Sequence, residues 1–231
     1  MIEENNFETF FFISKNKYQI FVYDKNNLKN LYNKETKIID GIEIDNLSNF
    51  LNENIYKIEK KINTFIKNII LIIEDDKILD VAISVKKKKN EKRILQKYLE
   101  NSLVEVKNIF RENYQNQIIM HMIVVNDDEN EKKFLLNNSN NNDDYLFLEV
   151  NFISIANNFT FYFDKLLESH QIKISRYMSC KYIKSCISED SMELSMMANK
   201  LNNGFNKNEV QLISKNVENI GFFEKFFQLF S

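Results

Sequence analysis

The sequence predicts a mixed α/β domain, and three observations predict it. Short apolar runs rich in Ile, Val, Phe and Tyr recur between polar turns, which is the pattern of strands. Two longer stretches carry apolar residues at three- and four-residue steps, the stripe of an amphipathic helix. The two patterns alternate along the chain, most clearly in residues 38–85, which read as strand, helix, strand, strand. At 231 residues the chain is long enough for one large domain or two small ones with a sizeable core.

Taken in order, Phe7 to Ser14, Tyr18 to Tyr23 and Leu28 to Tyr32 are three apolar runs joined by Lys15-Asn16-Lys17 and Asp24-Lys25-Asn26-Asn27. They predict an antiparallel meander. Lys37 to Asp45 predicts a short strand. Leu47, Phe50, Leu51, Ile55, Ile58 and Ile62 then mark a helix, with Asn46 or Ser48 at its cap. Ile69 to Ile73 is a continuous β-branched run, the pattern of a buried strand. Glu74-Asp75-Asp76-Lys77 turns the chain, and Ile78 to Val85 is expected to return as the second arm of a hairpin. Lys86-Lys87-Lys88-Lys89 opens a basic cluster, expected as a solvated turn leading into a helix marked by Ile94, Leu95, Leu99, Leu103, Val106 and Phe110.

Ile118 to Val125 is a strand with His121 between Met120 and Met122; with no second ligand type at metal spacing, the histidine is expected in the core. Lys133 to Leu136 predicts a short edge strand. Asn137 to Asp144 predicts a loop, and its acidic pairs do not match a calcium loop. Tyr145 to Ala156 is a strand in which Leu146, Leu148, Val150 and Phe152 alternate with Tyr145, Phe147 and Glu149, so one face is more buried. Asn157 or Asn158 is expected to cap a helix reaching His170. Ile172 to Met178 is a strand and Cys180 to Ile187 a helix. Ser188 begins a further helix through Met192, Met196, Met197 and Leu201, ended by Gly204, with the methionines on its core face. Val210 to Ile213 reads as a short strand or extended segment, and residues 214–220 as a linker.

Composition narrows the function classes. A formal charge of −2 gives no global drive toward nucleic acid. Two cysteines, Cys180 and Cys186, are neither a CxxC motif nor a disulfide framework and fit a reducing compartment. Met1 to Asn6 is acidic and unlike a signal peptide, and no apolar run approaches the ~20 residues of a membrane span. A Gly-rich loop, a Ser/His/Asp set and a metal cluster are all missing, so no catalytic, cofactor-binding or metal residue is assigned. The last ten residues stand apart. On a helix, Phe222, Phe223, Phe226, Phe227 and Phe230 line one face, with Leu229 adding apolar area, while Glu224, Lys225 and Gln228 point away. These six residues are the expected membrane-binding set, as an interfacial helix, with docking on the body as the other reading. One such tail binds membrane weakly, so Lys86, Lys87, Lys88 and Lys89 facing anionic lipid, or self-association, is expected to add to it.

The order of elements resembles the first half of the actin-like cell-division protein family FtsA. Locally the resemblance lies in Asp40-Gly41-Ile42-Glu43-Ile44-Asp45, Ile118-Ile119-Met120-His121-Met122-Ile123 and Leu148-Glu149-Val150, and in a short amphipathic C-terminal helix after a linker. It implies a partial actin-like (ribonuclease H-like) lobe over residues 1–187, with 38–85 as an inserted strand–helix–strand–strand (SHS2) subdomain. A helix and short strand (188–213), the linker (214–220) and the amphipathic helix (221–231) would follow. It further implies a cytoplasmic divisome adaptor, peripheral on the inner membrane, whose partners are other division proteins. The departures limit what carries over. The family's first phosphate loop has Asp-Gly where this chain has Ile13-Ser14-Lys15-Asn16-Lys17, and the second phosphate loop and lobe would follow Cys186, where the sequence turns to other elements. ATP binding is therefore not expected, nor is the surface for the ring protein FtsZ. The type IV pilus protein PilM shares the plan and is the alternative reading, beside a soluble interaction module with a docked tail.

Overall fold

The computed structural model of the protein describes residues 6–38, 44–88, 95–125, 145–189 and 191–211. They form a mixed α/β architecture with two sheets. Strands β1 (Phe7–Ser14), β2 (Lys17–Asp24) and β3 (Lys29–Lys37) make the expected antiparallel meander. Helix α1 (Ile44–Ile62) follows, then β4 (Asn68–Glu74), β5 (Leu79–Lys88) and α2 (Leu95–Asn113). Next come β6 (Gln117–Val124), β7 (Tyr145–Ala156), α3 (Asn157–Glu168), β8 (Lys173–Ser179), α4 (Cys180–Cys186) and α5 (Leu194–Asn202).

The first sheet has the order β3-β2-β1-β4-β8. Its three strands β1, β4 and β8 run parallel to one another, and β2 and β3 complete it antiparallel. Continuous apolar runs explain the centre of this sheet. In Phe10-Phe11-Phe12-Ile13 and Ile69-Ile70-Leu71-Ile72-Ile73 successive side chains point to opposite faces, and both faces are covered. On one face Phe11, Ile13, Ile69, Leu71 and Ile73 pack under α1 (Leu47, Leu51, Ile55, Ile58) and α3 (Phe163, Leu167). On the other, Phe10, Phe12, Ile70 and Ile72 pack under α4 (Tyr182, Ile183) and α5 (Met197, Leu201). Met197 is buried in that core, as expected, with Met196 and Met192, the latter ahead of α5, partly buried against it, and Gly204 leaves the helix end with φ +83°, in the left-handed region glycine enters without strain.

The second sheet has the order β5-β7-β6, all antiparallel, with α2 on one face through Leu103, Val106 and Phe110. The alternation expected for β7 is present: Leu148, Val150 and Phe152 are buried under α2 while Phe147 is 65% exposed. Residues 208–210 add a single antiparallel bridge, Ile123 to Glu209, on the free side of β6.

The expected 38–85 unit is corrected here. Lys37 closes β3 instead of opening a new strand, and β4 and β5 are not a hairpin. Among the described residues β4 pairs with β1 and β8, whereas β5 pairs with β7, so Glu74 to Lys77 carries the chain from one sheet to the other. The strand–helix–strand–strand order that forms one sheet is instead β5-α2-β6-β7, residues 79–156. Two smaller expectations also change. Ala156, not an asparagine, holds the cap position of α3, where no side chain caps the helix. The helix expected from Ser188 begins at Leu194. The expected edge strand 133–136, loop 137–144, linker 214–220 and helix 221–231 lie outside the described residues.

Candidate functional site

In open α/β sheets ligands bind beyond the carboxyl ends of the parallel strands. Here those ends are Ser14 of β1, Glu74 of β4 and Ser179 of β8. The β1–β2 turn is closed by its own serine. Ser14 Oγ accepts the N–H groups of Asn16 at 3.3 Å and Lys17 at 3.2 Å. A phosphate-binding turn needs such N–H groups free and aimed at the ligand. The two lysines of the turn are engaged as well. Lys15 pairs with Asp76, and that contact lowers the carboxyl's pKa and raises the lysine's. Lys17 Nζ lies 3.3 Å from Glu35. At the ends of β4 and β8, Lys184 Nζ lies 3.2 Å from Glu74. Burial, and next the Glu74 charge, pushes the Cys180 thiol up to about 11, so it is protonated near neutral pH. The strand ends therefore hold paired charges and a resting thiol. Among the described residues no group of three or more His, Cys, Asp or Glu side chains has metal-site geometry.

A second polar cluster lies where the two sheets meet. His121 Nε2 accepts the Ser179 N–H at 2.9 Å, so the ring proton sits on Nδ1 and is donated to Glu209 Oε1 at 2.8 Å. Glu209 also accepts from Arg176, which in turn donates to Asn202 Oδ1 at 2.9 Å; Asn202 donates to Glu8 at 2.8 Å. Burial lowers the His121 pKa, with Glu209 opposing the shift, and the Tyr182 ring lies against it, tilted by 50°, at 4.2 Å between centroids. The side chains of His121 and Glu209 are 0% and 5% exposed. This is a structural clasp: the Glu209 carboxylate ties the segment 206–210 to β6 through His121 and to β8 through Arg176, while Arg176 reaches Asn202 of α5 and the His121 ring packs on Tyr182 of α4. The core reading of His121 holds. Glu209 is the residue that sequence reasoning missed, since its partners stand 33 and 88 positions away.

The basic cluster begins inside β5 rather than in a turn. Lys86 lies over the Phe147 ring at 4.9 Å on the outer face, and Lys87 pairs with Glu105 of α2 on the inner face. Lys89 and the tail residues Phe222, Phe223, Phe226, Phe227, Leu229 and Phe230 lie outside the described residues, as does the side chain of Lys88. Among the described residues no helix is long and apolar enough to cross a membrane.

No protein-family model matches the chain, and no curated protein matches it. Solved structures do. The chain is similar to the PilM–PilN type IV pilus biogenesis complex, with TM-score 0.48 and 9% identity over 76% of this chain and 48% of that one. It is similar to a Bacteroides thetaiotaomicron protein with an actin-like ATPase fold and unknown function, at TM-score 0.35 and 14% identity over 80% and 58%. The third is the cytoplasmic domain of EpsL, an inner membrane component of the Vibrio cholerae type II secretion system, at TM-score 0.34 and 8% identity over 77% and 57%. The chain thus spans about half the length of the solved chains. The likeness is to the fold, and none of the three is described as an FtsA.

Proposed function

We propose that this chain is a non-catalytic interaction component, an actin-like lobe that works through protein contacts at a membrane-associated assembly and does not turn over nucleotide. The observation that carries this reading is the β1–β2 turn. Ser14 takes the N–H groups that a phosphate would need, and Lys15 is held by Asp76. A carboxylate-glycine pair for metal and phosphate is missing from Ile13 to Lys17. With that end occupied by its own contacts, the chemistry left to the fold is surface recognition.

The finer reading keeps an FtsA-like division adaptor, with a PilM-like pilus component as its rival. Both place the protein on the cytoplasmic side of the inner membrane, and the amphipathic sequence Phe222 to Phe230 supports the membrane contact. Thermal unfolding with and without millimolar Mg-ATP tests the core of the proposal, because a ligand that binds the native state must raise Tm. Tm is expected to stay unchanged. A rise of several degrees ends the non-nucleotide reading. For the membrane arm, deleting Gly221 to Ser231 is expected to leave Tm unchanged and to abolish co-sedimentation with anionic liposomes.

A further inference from the structure

The sequence of β5 is complementary to itself about Ile83. Reading outward, Ala82 and Ser84 are both small, Val81 and Val85 are both β-branched, and Asp80 and Lys86 carry opposite charges. In the structure β5 is an edge: among the described residues only β7 pairs with it. Asp80, Ala82, Ser84 and Lys86 lie exposed on its outer side. Val81, Ile83 and Val85 face α2 and reach the cluster of Val106, Phe110 and Val150, yet each is only half buried. A central strand of this sheet, β7, buries the equivalent row completely at Leu148, Val150 and Phe152.

From these facts we infer that β5 is a self-association edge, taking as its partner the β5 strand of a second copy of this chain in antiparallel register centred on Ile83. In that register Asp80 stands opposite the partner copy's Lys86, and the symmetry repeats the pair. Ala82 faces Ser84 across the join, and Val81 faces Val85. Directly opposed side chains are the unit of sheet stabilisation, and opposite charges there attract while like charges repel. The half-buried aliphatic row is then continued by its own copy, and the two three-stranded sheets become one of six. A shift of two toward the N-terminus sets Asp80 against Ser84 and loses the charge pair; a shift of two toward the C-terminus keeps a charge pair, Asp80 with Lys88, but sets Lys86 against Ala82 and Val81 against Lys87. An exposed edge strand invites pairing, and charges on it restrict which partner is accepted. This inference is independent of the nucleotide question, since β5 lies outside the strand-end site.

Sedimentation equilibrium of the full chain across the micromolar range, with charge reversal and charge swap, tests it. Wild type is expected to show a monomer–dimer equilibrium that weakens with salt. Asp80→Lys sets like charges together twice and is expected to raise the dimer Kd by about tenfold or more. Asp80→Lys with Lys86→Asp restores complementarity and is expected to return Kd to near the wild-type value. Both positions are exposed, so neither variant should lower the Tm of the monomer, measured below the dimer Kd. As a register check, a mixture of Ala82→Cys and Ser84→Cys chains should cross-link faster on oxidation than either alone. A wild type that stays monomeric throughout, an Asp80→Lys chain with unchanged Kd, a charge swap that fails to restore pairing, or a mixture no faster than its components each overturn the proposal.

Discussion

The two sheets of this protein are built from different sequence patterns and do different work. The five-stranded sheet has helices on both faces, and its central strands carry the continuous apolar runs 10–13 and 69–73, so Phe10, Phe11, Ile70, Leu71 and Ile72 are all buried. The three-stranded sheet has α2 on one face only, and its strands alternate: Val150 is buried while Phe147 beside it on β7 is largely exposed. Fully burying a large aliphatic or aromatic side chain contributes roughly 1.5–3 kcal/mol, so stability concentrates in the first sheet. Among the described residues the second sheet keeps an outer surface and an edge. The difference teaches that burial on both faces makes the first sheet the scaffold, while burial on one face leaves the second sheet a polar outer side.

The largest expected effect breaks the scaffold. Ile58 is fully buried between α1 and the five-stranded sheet. Ile58→Asp buries a carboxylate without a partner and is expected to cost more than about 4 kcal/mol, enough to unfold a domain of ordinary stability. The same aspartate at Phe147, on the outer face of the second sheet, should shift stability by no more than about 0.5 kcal/mol. Urea unfolding of both variants decides the matter. Equal losses at the two positions would mean that the sheets share one core and that the division of labour is wrong.

The joint between the sheets comes next. Glu209 is the carboxylate shared by His121 and Arg176. Removing one partner of a buried charge pair leaves the other uncompensated, at a cost of about 3–5 kcal/mol. Glu209→Ala is therefore expected to lower stability by that amount, and to open the segment after Gly204 to limited proteolysis before the sheets themselves are cut. If the clasp is incidental, the variant will unfold at the wild-type urea concentration and the segment will stay protected.

The same joint gives the protein a pH dependence whose sign follows from His121. Its pKa is lowered in the folded state from the ordinary 6.5, because burial disfavours the charged ring and Ser179 needs Nε2 as an acceptor. The folded state then binds the proton more weakly than the unfolded chain. The stability from a neutral His121 is fully present above about pH 6.5 and is lost as pH falls below it, at no more than about 1.4 kcal/mol per pH unit. Unfolding measured from pH 7.5 down to 5.5, above the range where most carboxylates titrate, should show this fall. His121→Gln should flatten it.

Much of this architecture was legible in the sequence, and the exceptions have physical causes. The meander, α1 with its Leu47-Leu51-Ile55-Ile58 stripe, and the alternation of β7 are local patterns, and each folded as its pattern required. Pairing is not local. Glu74-Asp75-Asp76-Lys77 fits a hairpin turn and a crossover between sheets equally well. The signal that separated them was the mismatch between its neighbours: Ile69 to Ile73 is apolar at every position and so needs two covered faces, whereas Leu79 to Lys86 alternates and needs one. Two such strands belong to different sheets. At the strand ends the absence of glycine between Ile13 and Lys17 was visible, but the closure of the turn by Ser14 needed the geometry. The clasp was invisible because Glu209 sits in a polar stretch, and nothing nearby in sequence marks it for burial.

The smallest expected effect concerns the charges at the strand ends, and it sharpens the comparison by contrast with the clasp. Lys15 and Asp76 form an ion pair whose side chains are 62% and 87% exposed. Water screens such a pair, and ordering two long side chains offsets what attraction remains. The pair bridges the β1–β2 turn to the loop after β4, so its position looks structural; its exposure argues that it contributes nothing measurable to folding. Lys15→Ala and Asp76→Ala are each expected to leave the urea midpoint within error, in low salt and in high salt alike. The turn should persist in both variants, since Ser14 holds it through the Asn16 and Lys17 N–H groups. A clear loss of stability in either variant, shrinking as salt is added, would show that the strand ends bear load as the clasp does. The contrast between a buried joint that holds the sheets together and an exposed strand end that is merely closed would then have to be given up.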